Sequence, residues 1–129
     1  MKICLVTPAP AYSRQGNRVT ALRWSRILRD LGHRVSILDE YNGERCDLMV
    51  ALHARRSYPS IDRFHRSNPN LPLVLALTGT DLYGDIHTDS QAQESLDLAN
   101  CYVLLQSNGV AELQVRHRPK ARVIYQSFT

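Results

Sequence analysis

The chain has 129 residues, of which 16 are lysine or arginine and 12 are aspartate or glutamate, giving a formal net charge of +4. This length suits one domain with a single core, and the basic excess, nearly all arginine, favours an anionic partner. The three cysteines stand isolated in apolar sequence, and no apolar run approaches the roughly 20 residues of a membrane span. We therefore expect a cytoplasmic protein with no membrane partner, disulfide framework, metal or cofactor.

Short aliphatic runs bounded by turn residues predict six buried parallel strands. They lie at Lys2–Val6, Arg34–Leu38, Asp47–Leu52, Leu73–Leu77, Tyr102–Leu105 and Arg122–Tyr125. Helical patterns alternate with these runs, at Asn17–Leu31, Pro59–Ser67, Asp89–Ala99 and Asn108–Val115. The alternation predicts a Rossmann-like, doubly wound α/β fold with a mainly parallel sheet flanked by helices.

The first predicted helix is amphipathic, and the residues at helical spacing on its core face are Thr20, Trp24, Ile27, Leu28 and Leu31. Val19 and Leu22 lie off this face and are expected to be exposed. Gly32 should end the helix as a C-terminal cap. In the later helices, Pro59 fits a first turn and Thr88 or Asp89 fits an N-cap.

Ligands of open α/β sheets bind beyond the carboxyl ends of the strands, where the strand order reverses. In the usual order, the loops after the first and fourth strands flank that crevice. Here these are the loop that begins at Thr7 and the segment Leu77–Asp89. A third candidate, His53–Ser57, follows the third strand on the same edge.

The first loop carries Arg14, Gly16, Asn17 and Arg18 at the start of a helix. Free backbone N–H groups and the helix dipole attract an anion there, and arginine in a first turn opposes the dipole unless an anion is present. The alternative is that Gly16 and Asn17 form only a turn and a cap, with solvated arginines beside them.

The other two segments carry polar groups that could complete such a site. Arg55 and Arg56 directly follow a buried strand, although one of them could instead pair with Asp81 or Asp85. The fourth-strand loop offers hydroxyls, a glycine that permits close approach and a carboxylate, or else forms an ordinary polar turn: Thr78, Gly79, Thr80 and Asp81. His53 and His87 could each act as an acid, a base or a phosphate donor, or be structural.

Several standard sites are not indicated. The first loop lacks G-x-G-x-x-G, so Asp39, although placed like a ribose-binding acid, has no pyrophosphate loop beside it. No phosphate-binding G-x-x-x-x-G-K-[ST], no G-x-S-x-G elbow and no clustered metal ligands occur. The basic residues are not interleaved with aromatics, and no helix-turn-helix or RNA-binding motif is present, so we expect no nucleic-acid partner.

Five blocks together resemble the amino-terminal half of a GT-B-type glycosyltransferase, and more narrowly the selenosugar synthase of selenoneine biosynthesis. They are MKICLVTPAP, GNRVTALRW, DLMVALHARRS, PLVLALTGTDLYGDI and KARVIYQS. The resemblance runs from Met1 to about Ser127. It implies one half of a GT-B architecture: an acceptor-side Rossmann-like domain at residues 1–127, and at 128–129 the start of a linker to a carboxy-terminal donor domain.

Members of that family resemble enzymes that join selenophosphate to a UDP-N-acetylhexosamine through a carbon–selenium bond. The resemblance implies that the arginine loop, with His53, Arg55, Arg56 and the Thr78–Asp81 segment, holds selenophosphate. It implies that Asp81 or His87 orients the acceptor or handles a proton. Gln15 stands where the family often has lysine, which removes one positive contact.

Two alternatives remain at this point. The chain could be the acceptor-side half of a conventional nucleotide-sugar glycosyltransferase with a hydroxyl acceptor. It could also be a non-catalytic, anion-binding α/β module. If the chain is half of either kind of glycosyltransferase, it should be inactive or weakly active alone, without its donor domain.

Overall fold

The computed structural model describes residues 1–8, 16–77, 84, 86–104 and 107–123, with side chains except at 16–18, 107–109 and 123. The strands are β1 (Lys2–Val6), β2 (Arg34–Leu38), β3 (Leu48–Leu52), β4 (Leu73–Leu77), β5 (Cys101–Leu104) and β6 (Ala121–Val123). The helices are α1 (Gly16–Asp30), α2 (Tyr58–Ser67), the single turn α3 (Ile86–Thr88) and α4 (Ser90–Leu98). Two 3₁₀ segments precede β6, at Ser107–Glu112 and Val115–Lys120.

The strands form one parallel sheet in the order β2-β1-β3-β4-β5-β6. Helices flank this sheet, so the predicted Rossmann-like α/β fold is confirmed. The predicted bounds of β1, β2 and β4 are also correct. The expected neighbour of β1 is wrong, however, because β3 pairs directly with β1, with Ile3 opposite Leu48. The reversal of strand order therefore lies between β1 and β3, and the fourth-strand loop stands one strand away from it.

The fourth predicted helix, Asn108–Val115, is replaced by the two 3₁₀ segments. Serine, asparagine and glycine open the first segment, and all three are weak helix formers. At Gln114 the backbone turns to an extended conformation with ψ of 148°, which separates the two segments.

The larger core lies between the sheet and the helices α2 and α4. Phe64 and Tyr102 are at most 1% exposed there, and the Tyr41 ring meets Phe64 edge-on with centroids 5.3 Å apart. Ser95 on α4 donates a 2.7 Å hydrogen bond to the carbonyl oxygen of Ala54, which follows β3. This bond ties α4 to the carboxyl edge of the sheet.

The opposite face of the sheet is covered by α1, which lies over β1 and β2. The buried face of α1 is rotated relative to the predicted one. Thr20 is buried, and Trp24 and Leu28 are half-buried. Ile27 and Leu31, however, are 52% and 69% exposed. Ala21 and Ser25 are buried in their place. Because α1 lies over the edge strand β2 and its neighbour β1, the flank of this face over the middle strands is left without cover from α1.

On that flank an apolar groove of about 330 Å³ opens over the middle strands. Its lining residues are Trp24, Ile27, Leu28, Val50, Val74 and Val103. Val19 and Leu22 on α1 are 59% and 48% exposed, as expected for residues off the core face. Among the elements that the structure describes, α1 is the one helix on this side.

The predicted helix ends are confirmed at two places. Gly32 has a φ of +94°, and the N–H groups of Gly32 and His33 donate to the carbonyls of Arg29 and Leu28, a glycine-ended C-cap. Asp89 caps α4 by accepting a 2.9 Å bond from the N–H of Ala92. Within the described ranges, no helix has the length and apolar character needed to cross a membrane.

Candidate functional site

The candidate site lies beyond the carboxyl ends of β1 and β3, where the strand order reverses. Val6 pairs with Ala51 at the ends of these two strands, and Thr7 and His53 follow within two residues of that pair. The order of the sheet thus brings the His53–Ser57 segment, the third candidate of the sequence, to the reversal point.

His53 is the most constrained residue of this segment. It is 2% exposed and adopts a φ of +79°, a left-handed conformation that is uncommon outside glycine. Its N–H donates a 3.0 Å bond to Ala76 on β4, which anchors the strained turn to the sheet. Strain of this kind persists where the surrounding structure enforces it, and such positions concentrate at ligand sites.

The ring of His53 has a fixed proton arrangement. Its Nδ1 accepts a 3.1 Å hydrogen bond from the backbone N–H of Arg56. A nitrogen that accepts in this way carries no proton, so the ring is neutral and its proton is on Nε2. His53 therefore has an N–H donor at Nε2 and is unable to serve as a base through Nδ1 while this bond is intact.

The turn that follows presents two arginines. The N–H of Ser57 donates to the carbonyl of His53 at 3.1 Å, and the N–H of Tyr58 donates to Arg55 at 3.2 Å. Ser57 is buried and its hydroxyl donates to the carbonyl of Leu52, whereas Arg55 and Arg56 are exposed. The backbone is thus held while two guanidinium groups are accessible at the edge, an arrangement suited to phosphate oxygens.

Thr7 adds a buried hydroxyl next to this turn. Its N–H donates to Leu38 at 2.8 Å, and its side chain is inaccessible to solvent. Within the described residues, Thr7 Oγ1 is the buried side-chain oxygen or nitrogen atom that has no hydrogen-bond partner. A buried polar group left in this state costs roughly 1–3 kcal/mol, so Thr7 marks a place where a polar atom would be stabilised. Thr7 is not among the site residues predicted from the sequence.

The remaining predicted residues separate into two groups. Arg14, Thr78, Gly79, Thr80 and Asp81 lie outside the described residues. Gly16, Asn17 and Arg18 form the first turn of α1, but only their backbone is described. The predicted helix start at the end of the arginine loop is therefore present, while the side-chain site around it stays a prediction.

His87 belongs to a different part of the molecule. It lies on α3, and its Nε2 is 3.0 Å from Oε2 of Glu112, in the 3₁₀ segment that follows β5. β5 is separated from β3 by β4, so the His87–Glu112 pair lies toward β5, away from His53. Glu112 was missed because 25 residues separate it from His87 and no local motif links them.

The described residues offer no group of three or more histidine, cysteine, aspartate or glutamate side chains placed to hold a metal ion. Cys4 and Cys46 are buried free thiols that contact each other. Burial, followed by the hydrogen bond with Cys46, raises the pKa of Cys4 to about 12. Cys4 is therefore a packing residue with little thiolate character.

Comparison with known proteins gives a distant structural neighbour. The crystal structure of a conserved protein from Enterococcus faecalis V583 is similar over 97% of this chain and 91% of that chain, with 16% sequence identity and a TM-score of 0.42. No protein-family model and no curated protein matches the chain. The similarity bears on neither activity nor ligand.

Proposed function

We propose that this chain is the acceptor-side domain of a glycosyltransferase that forms a carbon–selenium bond from selenophosphate and a UDP-N-acetylhexosamine. The observation that carries the proposal is the turn His53–Ser57, which presents two arginines and a neutral histidine donor at the reversal of strand order. The sequence blocks that resemble the selenosugar synthase include this turn and parts of both loops beside it. Residues 1–127 as one acceptor-side domain, followed by a linker to a donor domain, belong to the same proposal.

The chemistry of the site suits a small, dense anion. Arg55 and Arg56 offer planar forks to phosphate oxygens, and Nε2–H of His53 is the N–H donor of a neutral ring. The first turn of α1 adds backbone N–H groups and the positive end of a helix dipole at the carboxyl edge of β1. Together with Arg14, Arg18 and the Thr78–Asp81 segment, these groups would bind selenophosphate and leave its selenium directed at the sugar.

In the proposed reaction, selenium attacks the anomeric carbon and a carbon–selenium bond forms. The bond from that carbon to the diphosphate oxygen breaks, and the electron pair leaves with UDP. The domain's part is positioning of the nucleophile and stabilisation of charge. In this proposal Asp81 or His87 orients the acceptor or handles a proton, and His87 is held for either role by its 3.0 Å contact with Glu112.

The test is calorimetric titration of the full chain with selenophosphate under anaerobic conditions, beside thiophosphate and phosphate. We expect saturable binding that weakens about tenfold or more in Arg55→Ala or Arg14→Ala, since each removes a charge-assisted bond. Arg34→Ala is the matched control, because Arg34 is exposed at the amino end of β2, away from the crevice. Equal binding by Arg34→Ala and Arg55→Ala would count against the site.

The rival functions predict different results. Activity with hydroxyl acceptors, but not selenophosphate, after joining to a donor domain would favour a conventional glycosyltransferase. An anion-binding module would bind selenophosphate, thiophosphate and phosphate with equal affinity and would show no activity with any donor domain.

A further inference from the structure

A polar pocket lies between α4 and the two 3₁₀ segments. Its volume is about 110 Å³, several times the ~30 Å³ that one water occupies in the liquid. Ile86 and Leu96 supply its apolar wall. Its polar lining residues are His87, Gln93, Glu112, Gln114, Arg116 and His117.

Most polar side chains around this pocket are paired with one another. Glu112 pairs with His87 at 3.0 Å, and Arg116 pairs with Asp97 at 3.2 Å while donating to the Gln114 amide at 2.9 Å. These contacts hold the lining side chains in place. The pairing with Asp97 also offsets the positive charge of Arg116, which an anion site would use.

The proton arrangement of His117 gives the pocket an acceptor atom on its wall. The hydroxyl of Tyr102 donates its one proton to the carbonyl of Leu96, so its oxygen accepts the 2.9 Å bond from Nδ1 of His117. Nδ1 therefore carries the proton, and Nε2 of the neutral ring is an acceptor. The His117 side chain is only 6% exposed, and this acceptor stands 3.6 Å from another, Oδ1 of Asp97.

Oδ1 of Asp97 is already paired with Nη1 of Arg116 at 3.2 Å, so Nε2 of His117 is the acceptor that a further hydrogen-bond donor would stabilise. Burial, with Arg116 and Lys120 nearby, lowers the pKa of His117, while Asp97 opposes this shift. The ring therefore does not supply that donor by taking up a proton near neutral pH. A hydroxyl group satisfies the arrangement, because it donates to the imidazole and accepts from an amide at the same time.

We propose that this pocket binds a small polyhydroxylated molecule, with one hydroxyl donating to Nε2 of His117 and others exchanging hydrogen bonds with Gln93 and Gln114. Paired charges, adjacent donors and acceptors, and a short apolar wall are features of sites that recognise hydroxyl groups by hydrogen bonding. The pocket lies apart from the arginine turn at β1 and β3, and the residues that carry this inference, His117, Gln93 and Gln114, have no part in the proposed glycosyltransferase activity.

The test uses the ¹⁵N-labelled full chain with glycerol as the probe and n-propanol as the matched molecule with a single hydroxyl. We expect glycerol to shift the amide signals of Gln93, Glu112 and His117 saturably, and n-propanol to cause no saturable shift. Linear shifts of the same size with both probes would overturn the proposal, since the pocket would then hold solvent only.

Gln93→Leu replaces the amide with an apolar group and removes its hydrogen bonds, among them the 3.3 Å bond to the carbonyl of Ile86. It should weaken glycerol binding about threefold to tenfold, the equivalent of one neutral hydrogen bond. Gln91→Leu, at an exposed position of the same helix, should leave the affinity unchanged. Equal affinities in the two variants would place binding elsewhere and overturn the proposal, as would a proton found on Nε2 of His117 by long-range ¹⁵N spectra.

Discussion

The backbone N–H of Arg56 donates a hydrogen bond to Nδ1 of His53 across 3.1 Å, and this bond sets the protonation of the buried ring. We expect long-range ¹H–¹⁵N spectra of the full chain to show the His53 proton on Nε2. Because Nδ1 is occupied as an acceptor, the imidazolium form requires the turn to open. A signal from an Nδ1–H tautomer in the folded protein would contradict the assigned geometry.

The left-handed backbone of His53 predicts an order of stability among substitutions. His53→Val should lose about 1–2 kcal/mol more than His53→Asn, because a β-branched residue is strained at positive φ whereas asparagine tolerates it. Urea unfolding measures both variants. Equal losses would mean that the turn relaxes out of the left-handed region.

The buried thiols should be protected from alkylation. Burial and the contact with Cys46 raise the pKa of Cys4 to about 12, and the thiolate is the reactive form. Iodoacetamide near neutral pH should therefore label the half-buried Cys101 first, and the buried pair only after unfolding. Mass spectrometry of the labelled peptides gives the order, and Cys101→Ser provides the control. Comparable labelling of all three thiols in the native protein would exclude this protection.

The His117 cluster should make stability depend on pH. Burial first, and then Arg116, lower the pKa of His117 in the folded state, so the unfolded chain binds a proton at higher pH than the folded chain does. The free energy of unfolding should thus fall as pH decreases below about 6.5, down to the lower folded pKa. His117→Gln should reduce this dependence in urea titrations, whereas His65→Gln, on α2, should not. An unchanged pH dependence in His117→Gln would count against the assignment.

The cap of α4 offers a simple check on local structure. Asp89 accepts a hydrogen bond from Ala92, so Asp89→Ala should cost about 1 kcal/mol of the free energy of unfolding. Asp89→Asn retains an acceptor oxygen and should be close to neutral. Thermal or urea unfolding distinguishes the two. An unchanged free energy of unfolding in Asp89→Ala would show that water replaces the cap.

Much of the fold could be predicted because its signals are local. Aliphatic runs define β1, β2 and β4, Gly32 ends α1 and Asp89 caps α4. The strand order was not accessible in the same way, since pairing β1 with β3 or β4 gives equally good hydrophobic patterns. The face of α1 was misjudged for a related reason: which of its apolar residues are buried depends on which strands lie beneath it.

The residues of the candidate site were likewise predictable only where their signal is local in sequence. Arg55 and Arg56 were recognisable from their position after a buried strand, and the topology brings them to the reversal point. Thr7 carries no signal in sequence, because its unpartnered hydroxyl is a property of packing. Glu112 likewise meets His87 only through the arrangement of α3 and a 3₁₀ segment.

The packing of α1 on one side of the sheet affects the order in which parts of the protein unfold locally. α2 and α4 are fixed by a continuous core and by the bond from Ser95 to Ala54, whereas α1 meets the sheet through a narrower face with an exposed flank. Helices held by less buried apolar surface open at lower free energy than the elements around them. The amide protons of α1 should therefore exchange with deuterium before those of β3 and β4, because α1 unfolds and refolds as a unit while the sheet stays folded.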